Sequence, residues 1–171
     1  MSDRAKRDKV ERREWGPLPL LAWIALLGFF FAQVEIQIEG PNGWATSLPT
    51  WRFDHPLLHF VWGGRTLTGY HAFVFAFMFL VFHLPVFITG RASLKMESRI
   101  FGSLMLFWIW EDFLWFVFNP AYGIEKLTPA AVPWHREWLF GVPTDYVTFF
   151  CIGVACLWWS YRRARRVPGV P

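Results

Sequence analysis

The stretch IFGSLMLFWIWEDFLWFVF, residues 100–118, decides the fold. It is long enough to cross about 30 Å of hydrocarbon as an α-helix, yet it carries the adjacent carboxylates Glu111 and Asp112. A charge at membrane depth costs at least about 2.5–3.5 kcal/mol on insertion scales, so an ionisable pair retained there marks a functional site. Two such groups side by side need a cation, a proton, a histidine or an arginine.

Three further apolar runs, at residues 17–34, 67–89 and 145–161, are of spanning length. The first and last are short, which puts their ends on Trp, Tyr and Arg anchors at the interface. With 54% hydrophobic residues, 12 Trp and 19 Phe, the chain belongs with polytopic membrane proteins. The fold expected is an all-α integral membrane bundle of four transmembrane helices, one domain over residues 1–171. Residues 1–14 form a basic tail, and residues 35–66 and 119–144 form outer loops. Neither an internal repeat nor a linker divides the chain.

Basic residues set the orientation. Six precede the first helix (Arg4, Lys6, Arg7, Lys9, Arg12, Arg13), three lie between the second and third (Arg91, Lys95, Arg99), and four follow the fourth (Arg162, Arg163, Arg165, Arg166). The other two loops hold only Arg52, Arg65, Lys126 and Arg136. Such asymmetry places both termini in the cytoplasm and the protein in the cell inner membrane. The formal +4 divides into +8 inside and −4 outside, a matter of topology and anionic lipid rather than of nucleic acid. The basic N-terminus and its apolar run resemble a signal segment, but the run spans and no good cleavage site follows it. Cys151 and Cys156 sit five apart on different faces of one helix and suggest no disulfide.

An outer cap is expected from the first loop. Val34 to Glu39 alternates apolar and polar, Gly40-Pro41-Asn42-Gly43 reads as a turn, and Trp44, Thr46 and Leu48 continue as a return strand. That makes a short hairpin. A helix running on would still join Glu35 and Glu39 as i,i+4 neighbours. Pro56 is placed to open an interfacial helix over residues 57–62, and Pro85 to kink the second spanning helix.

Depth brings the polar groups together. His71 lies about 6 Å below the outer end of the second helix, and Glu111 and Asp112 roughly 9–11 Å below that of the third. The outer loops add His55, His59 and His135, with Glu35 and Glu39 on the same side. Histidine nitrogen with carboxylate oxygen suits zinc, iron or manganese. The expected metal set is drawn from His71, Glu111, Asp112, His135, Glu35, Glu39, His55 and His59, with Glu111 and Asp112 as the catalytic candidates. The plainer readings are a polar plug bonded to indoles for Glu111 and Asp112, an interhelical hydrogen bond for His71, and salt bridges from Glu35 or Glu39 to Arg52 or Arg65. No haem is expected, because His71 and His83 lie on one helix about 18 Å apart along its axis.

The string WEDFLWFVFNP, residues 110–120, followed by Trp134-His135 and Trp138, resembles strings in small prokaryotic four-helix integral membrane proteins of uncharacterised function. The resemblance covers the third helix and third loop; it implies a compact membrane protein and no activity. The leading functional expectation is an outward-facing metal site, serving a metal-dependent hydrolase or oxidase on an amphipathic substrate at the membrane interface. The rival is a non-catalytic accessory or scaffold subunit, partnered by other membrane subunits or by copies of itself. A proton or cation transporter is the third reading, with His83 as its sole inner stepping stone.

Overall fold

The computed structural model describes residues 16–56 and 65–162. The interfacial helix expected over 57–62, His59, the basic tail and the arginines beyond Arg162 lie outside the described residues. The element order is α1 (Pro17–Glu39), β1 (Arg52–Phe53), β2 (Leu67–Thr68), α2 (Gly69–Thr89), α3 (Leu94–Phe118), a 3-10 turn (Ile124–Lys126), β3 (Trp138–Leu139), β4 (Val142–Pro143) and α4 (Thr144–Tyr161).

α1 starts with Pro17 in its first turn and runs without a break through Glu39. The hairpin expected from the alternation at residues 34–39 is therefore not formed. A helix satisfies its own backbone groups, a strong demand beside hydrocarbon, and its i,i+4 spacing turns Glu35 and Glu39 together onto a buried face. Gly40, at φ +65°, ends it by donating its N–H to the Ile36 carbonyl at 2.9 Å. The strands that do form are two-residue antiparallel pairs, Arg52 with Thr68 and Phe53 with Leu67, then Trp138 with Pro143 and Leu139 with Val142.

α2 is capped by Thr68, whose hydroxyl accepts from the His71 N–H at 3.2 Å, and contains Pro85. α3 is capped by Ser93 and begins at Leu94, so Lys95, Glu97 and Arg99 belong to its first turns. α1, α2 and α3 are long and apolar enough to cross a membrane. α4, expected as a fourth span, is outside that set among the described residues. Thr144, Asp145 and Thr148 at one end and Trp158 to Tyr161 at the other make it less apolar.

Successive helices run in opposite directions, so the C-terminal ends of α1 and α3 meet the N-terminal ends of α2 and α4. Asn119 Nδ2 donates to Gly40 O at 2.9 Å at that end, and Ser98 Oγ to Cys156 O at 2.9 Å near the other. α3 is the hub: it packs most extensively on α4, then on α1, and more lightly on α2. The α3–α4 crossing depends on glycine. A Cβ on Gly102 would meet Gly153 O at 2.8 Å and Cys156 Cβ at 2.9 Å. Ile24, Met78, Leu104 and Phe107 form the mid-bundle core. Ile36, Trp115, Phe116 and Val132 form a second core under the loop 119–143. Phe73, Phe77, Leu80, Phe87 and Ile88 leave α2 apolar on its outside, as a lipid-facing helix is.

His83 reaches across to α3, with Nε2 3.2 Å from Glu97 Oε2, and its Nδ1 lies 2.7 Å from the Phe79 carbonyl of its own helix. Both cysteines are free.

Replacing Gly102 with Ala is expected to lower stability in detergent denaturation by about 1–3 kcal/mol, the usual cost of overpacking. Gly16→Ala, whose Cβ meets nothing within 4 Å, should leave the midpoint where it was.

Candidate functional site

Adjacent helical positions diverge by about 100°, so α3 aims Glu111 and Asp112 at different neighbours. Glu111, 2% exposed, turns to α1 and lies beside Glu35. Tyr70, from the first turn of α2, donates its hydroxyl to Glu35 Oε1 at 2.9 Å. Glu39, one turn beyond Glu35, accepts the Ala45 N–H on Oε1 at 2.5 Å. That bond secures a strained turn, since Trp44 and Ala45 hold φ of 54° and 50°. The turn lays Trp44 on the His71 ring, with centroids 3.9 Å apart.

Asp112 turns toward the loop and α4. Its Oδ2 lies 3.1 Å from His135 Nε2 and accepts the Tyr146 hydroxyl. The other ring nitrogen, Nδ1, faces two groups: Asp145 Oδ2 at 3.0 Å and Arg65 Nη2 at 2.6 Å. Arg65 also pairs with Asp145, donates Nε–H to the Trp134 carbonyl at 2.5 Å, and lies over the Trp44 ring at 4.9 Å. Protonated, His135 donates to both aspartates; neutral, it keeps Nε2–H on Asp112 and accepts from Arg65 on Nδ1. It therefore has partners in either state. Burial works against the charged form, but the Asp112 carboxylate, by charge and hydrogen bond, and then Asp145 outweigh it, and His135 is pushed up to about 9.

His71 is held from its own helix cap, with Nδ1 2.7 Å from Thr68 Oγ1. Its Nε2 has no hydrogen-bond partner among the described residues.

These groups share one cavity of ≈ 550 Å³. Its polar end is lined by Glu35, Glu39, His71, Glu111, Asp112 and His135. Its apolar part lies between α2 (Phe75, Phe79) and α4 (Thr148, Phe149) and is floored by α3 (Leu104, Met105, Trp108, Ile109). From Trp115 to Leu104 the cavity follows α3 for roughly 16 Å at 1.5 Å per residue.

Six of the eight residues expected from the sequence thus meet in one place. His55 does not: it is exposed and stacks on Phe53, outside the cavity. His59 lies outside the described residues. Among the described residues no three His, Cys, Asp or Glu side chains are grouped as a ligand set for a metal ion. The salt bridges proposed for Glu35 and Glu39 are replaced as well. Arg65 goes to Asp145, and Arg52 donates to the Ala45 and Thr46 carbonyls at 2.7 and 3.0 Å. Sequence reasoning missed Tyr70 and Tyr146, which sit beside helix starts among many other aromatics, and it did not pair Asp145 with His135 or Arg65.

The ion-pair cluster has a definite pH signature. His135 titrates higher in the folded protein than its ordinary 6.5, so its stabilising contribution is complete below about 6.5 and is lost as pH rises through about 9. The thermal midpoint of the native protein should fall across that window relative to a His135→Gln variant. Parallel curves would show that His135 carries no such charge.

No protein-family profile, curated protein or solved structure matches this chain.

Proposed function

We propose that the protein is a multi-pass inner-membrane protein whose outward-facing His/carboxylate site binds an amphipathic, lipid-like substrate and acts on it by proton transfer. The observation that carries this reading is the continuity of the cavity. A ligand lying in it meets aromatic and aliphatic side chains along α2, α3 and α4, then a dense set of ionisable groups at the helix ends. An amphiphile has that same division. Because α2 packs lightly, the cleft between α2 and α4 is the natural way in from the bilayer.

His135 is the group suited to move a proton, with Asp112 orienting it and Tyr146 completing the hydrogen bonds of that carboxylate. Orientation rests on the basic residues: the side holding the α2–α3 loop and the C-terminal end of α4 carries most of them, which makes it cytoplasmic and turns the site outward. α4 then crosses the membrane as the fourth span, with Trp158, Trp159 and Tyr161 at the interface.

A metal-dependent version of the same activity is favoured by one feature, the His71 Nε2, which has no hydrogen-bond partner among the described residues and lies on a residue lining the same cavity as Asp112 and Glu111. Zinc, iron or manganese held there would supply an activated water.

Protein purified in mild detergent without chelators should carry an extractable amphiphile in stoichiometric amount by mass spectrometry. Met105→Trp and Thr148→Trp, which fill the apolar half, should abolish its retention. Elemental analysis of the same sample reads the metal version directly. Neither amphiphile nor metal would move the assignment to an accessory subunit of a larger membrane complex. For the orientation, a reporter fused after Arg162 should be active only on the cytoplasmic side; activity outside would reverse it.

A further inference from the structure

α2 is held differently at its two ends. At its start the Gly69 N–H donates to Trp51 O at 2.9 Å and the Tyr70 N–H to Thr50 Oγ1 at 3.0 Å, while the Tyr70 hydroxyl donates to Glu35 Oε1 at 2.9 Å. Farther along, its hold on α3 is the packing of Met78 and Phe82 beside Phe107 and the contact of His83 with Glu97. Pro85 follows two residues later. It lacks the N–H that would bond the Val81 carbonyl, a break that lets the last turns bend.

The protons on His83 follow from its partners. Nδ1 lies 2.7 Å from the Phe79 carbonyl, which can only accept, so Nδ1 carries a proton. A neutral ring then has a bare lone pair on Nε2, facing a Glu97 carboxylate oxygen at 3.2 Å. Two acceptors repel. A second proton on the ring turns the same contact into a charge-assisted hydrogen bond. With side chains 15% and 44% exposed, the pair lies where water can deliver and remove that proton.

The other charged groups of this end look elsewhere. Lys95 Nζ donates to Arg162 O at 2.7 Å, and the Arg99 guanidinium lies over the Tyr161 ring at 4.1 Å. α1 carries no titratable side chain from Pro17 to Gln33, and the last turns of α4 bring only Cys156, Tyr161 and Arg162. Glu97 is the charged group at hydrogen-bond distance from His83.

Phe79 connects this contact to the cavity. It lines the cavity, its carbonyl accepts the Nδ1 proton, and its ring lies on the His83 ring with centroids 4.0 Å apart. Phe75, one turn nearer the polar end, lines the same wall. A displacement of α2 at His83 therefore carries the aromatic wall of the cleft with it.

We propose that His83 and Glu97 form a proton-operated latch on the cavity. With the ring doubly protonated, α2 is drawn against α3 and the cleft between α2 and α4 stays narrow. Loss of the Nε2 proton frees the far half of α2 to swing about its secured start, and the cleft widens. The latch governs access to the cavity whatever occupies it, and so goes beyond the amphiphile reading.

The test uses the full chain in lipid nanodiscs, with Cys151→Ser and Cys156→Ser and with nitroxide labels on Ile88→Cys and Trp159→Cys, two exposed positions at the far ends of α2 and α4. Pulsed electron resonance reads the distance between them at about pH 5 and about pH 8, the limits between which an imidazole changes charge. His135, pushed up to about 9, keeps its proton over most of that range. The distance should lengthen by about 2 Å or more at the higher pH, the scale of helix shifts in switching proteins. Glu97→Gln, which removes the charge and keeps the shape, should abolish the response. Labels on Phe73→Cys and Phe150→Cys, near the starts of the two helices, should move less. An unchanged distance, a response that survives in Glu97→Gln, or an equal change at the helix starts would overturn the latch. Nitrogen-15 NMR of the histidine rings adds a reading that does not depend on the Glu97 variant folding. His83 should hold protons on both nitrogens at about pH 5 and on Nδ1 alone at about pH 8. A ring with the same protons at both values, or a neutral ring protonated on Nε2, would overturn it as well.

Discussion

Two carboxyl groups one residue apart on a helix point about 100° apart and cannot serve the same partner. That constraint organises the loop-bearing end of this protein. Glu111 faces α1, where Glu35 lies beside it with Tyr70 behind. Asp112 can be satisfied only from the loop and α4, where His135 and Tyr146 reach it. Each partner carries its own requirement. His135 presents a second ring nitrogen, which draws in Asp145, and Asp145 draws in Arg65 from a loop that is 80 residues away in sequence. Burying charges this way costs several kcal/mol per ion unless the opposing charges are close and hydrogen-bonded, and here two cationic groups meet two carboxylates directly.

The cavity is a consequence of unequal packing. α4 closes on α3 through Gly102 and Gly153, and α1 closes on it at Gly28, where a Cβ would meet Trp110 Cδ1 at 2.9 Å. α2 has only Gly69 near its start. Its bulky Phe75 and Phe79 keep it off the hub and leave a cleft facing α4. Phe75 closes the floor of that cleft by standing edge-on to Trp108, with centroids 4.5 Å apart. The small residues that tighten one side of the bundle and the large ones that prop open the other thus produce a space that is apolar along its length and charged at one end.

The helices were legible because an apolar run of spanning length has few other uses. Their ends were not. Residues 34–39 alternate as a strand does, and only the buried partners of Glu35 and Glu39 decide for helix. Lys95, Glu97 and Arg99 read as loop by hydropathy, although Ser93 caps a helix that includes them. In the site, Glu111, Asp112, Glu35, Glu39, His71 and His135 stood out as ionisable groups gathered at one level among apolar residues. Arg65 was visible, but its partner was not, since nothing local in the sequence ties it to Asp145. Tyr70 and Tyr146 were hidden among the aromatics that any membrane protein places at its interfaces.

The same residue types that suggest a metal centre here form a hydrogen-bonded ion-pair cluster, and the difference lies in where lone pairs and protons go. A histidine ligates a metal through a nitrogen lone pair, whereas both ring nitrogens of His135 are engaged by side chains, Nε2 by Asp112 and Nδ1 by Asp145 and Arg65. The cation that balances Asp145 is the Arg65 guanidinium, which needs no lone pair from its neighbours and is braced by the Trp134 carbonyl and the Trp44 ring. The polar end therefore divides in two. One half, Arg65, His135, Asp112, Asp145 and Tyr146, is tied together by its own contacts, which fix the orientation of the His135 ring. The other half holds two buried polar atoms, Glu111 Oε1 and Trp115 Nε1, that have no hydrogen-bond partner among the described residues. Glu111 and Asp112, adjacent in the chain, form the seam between them.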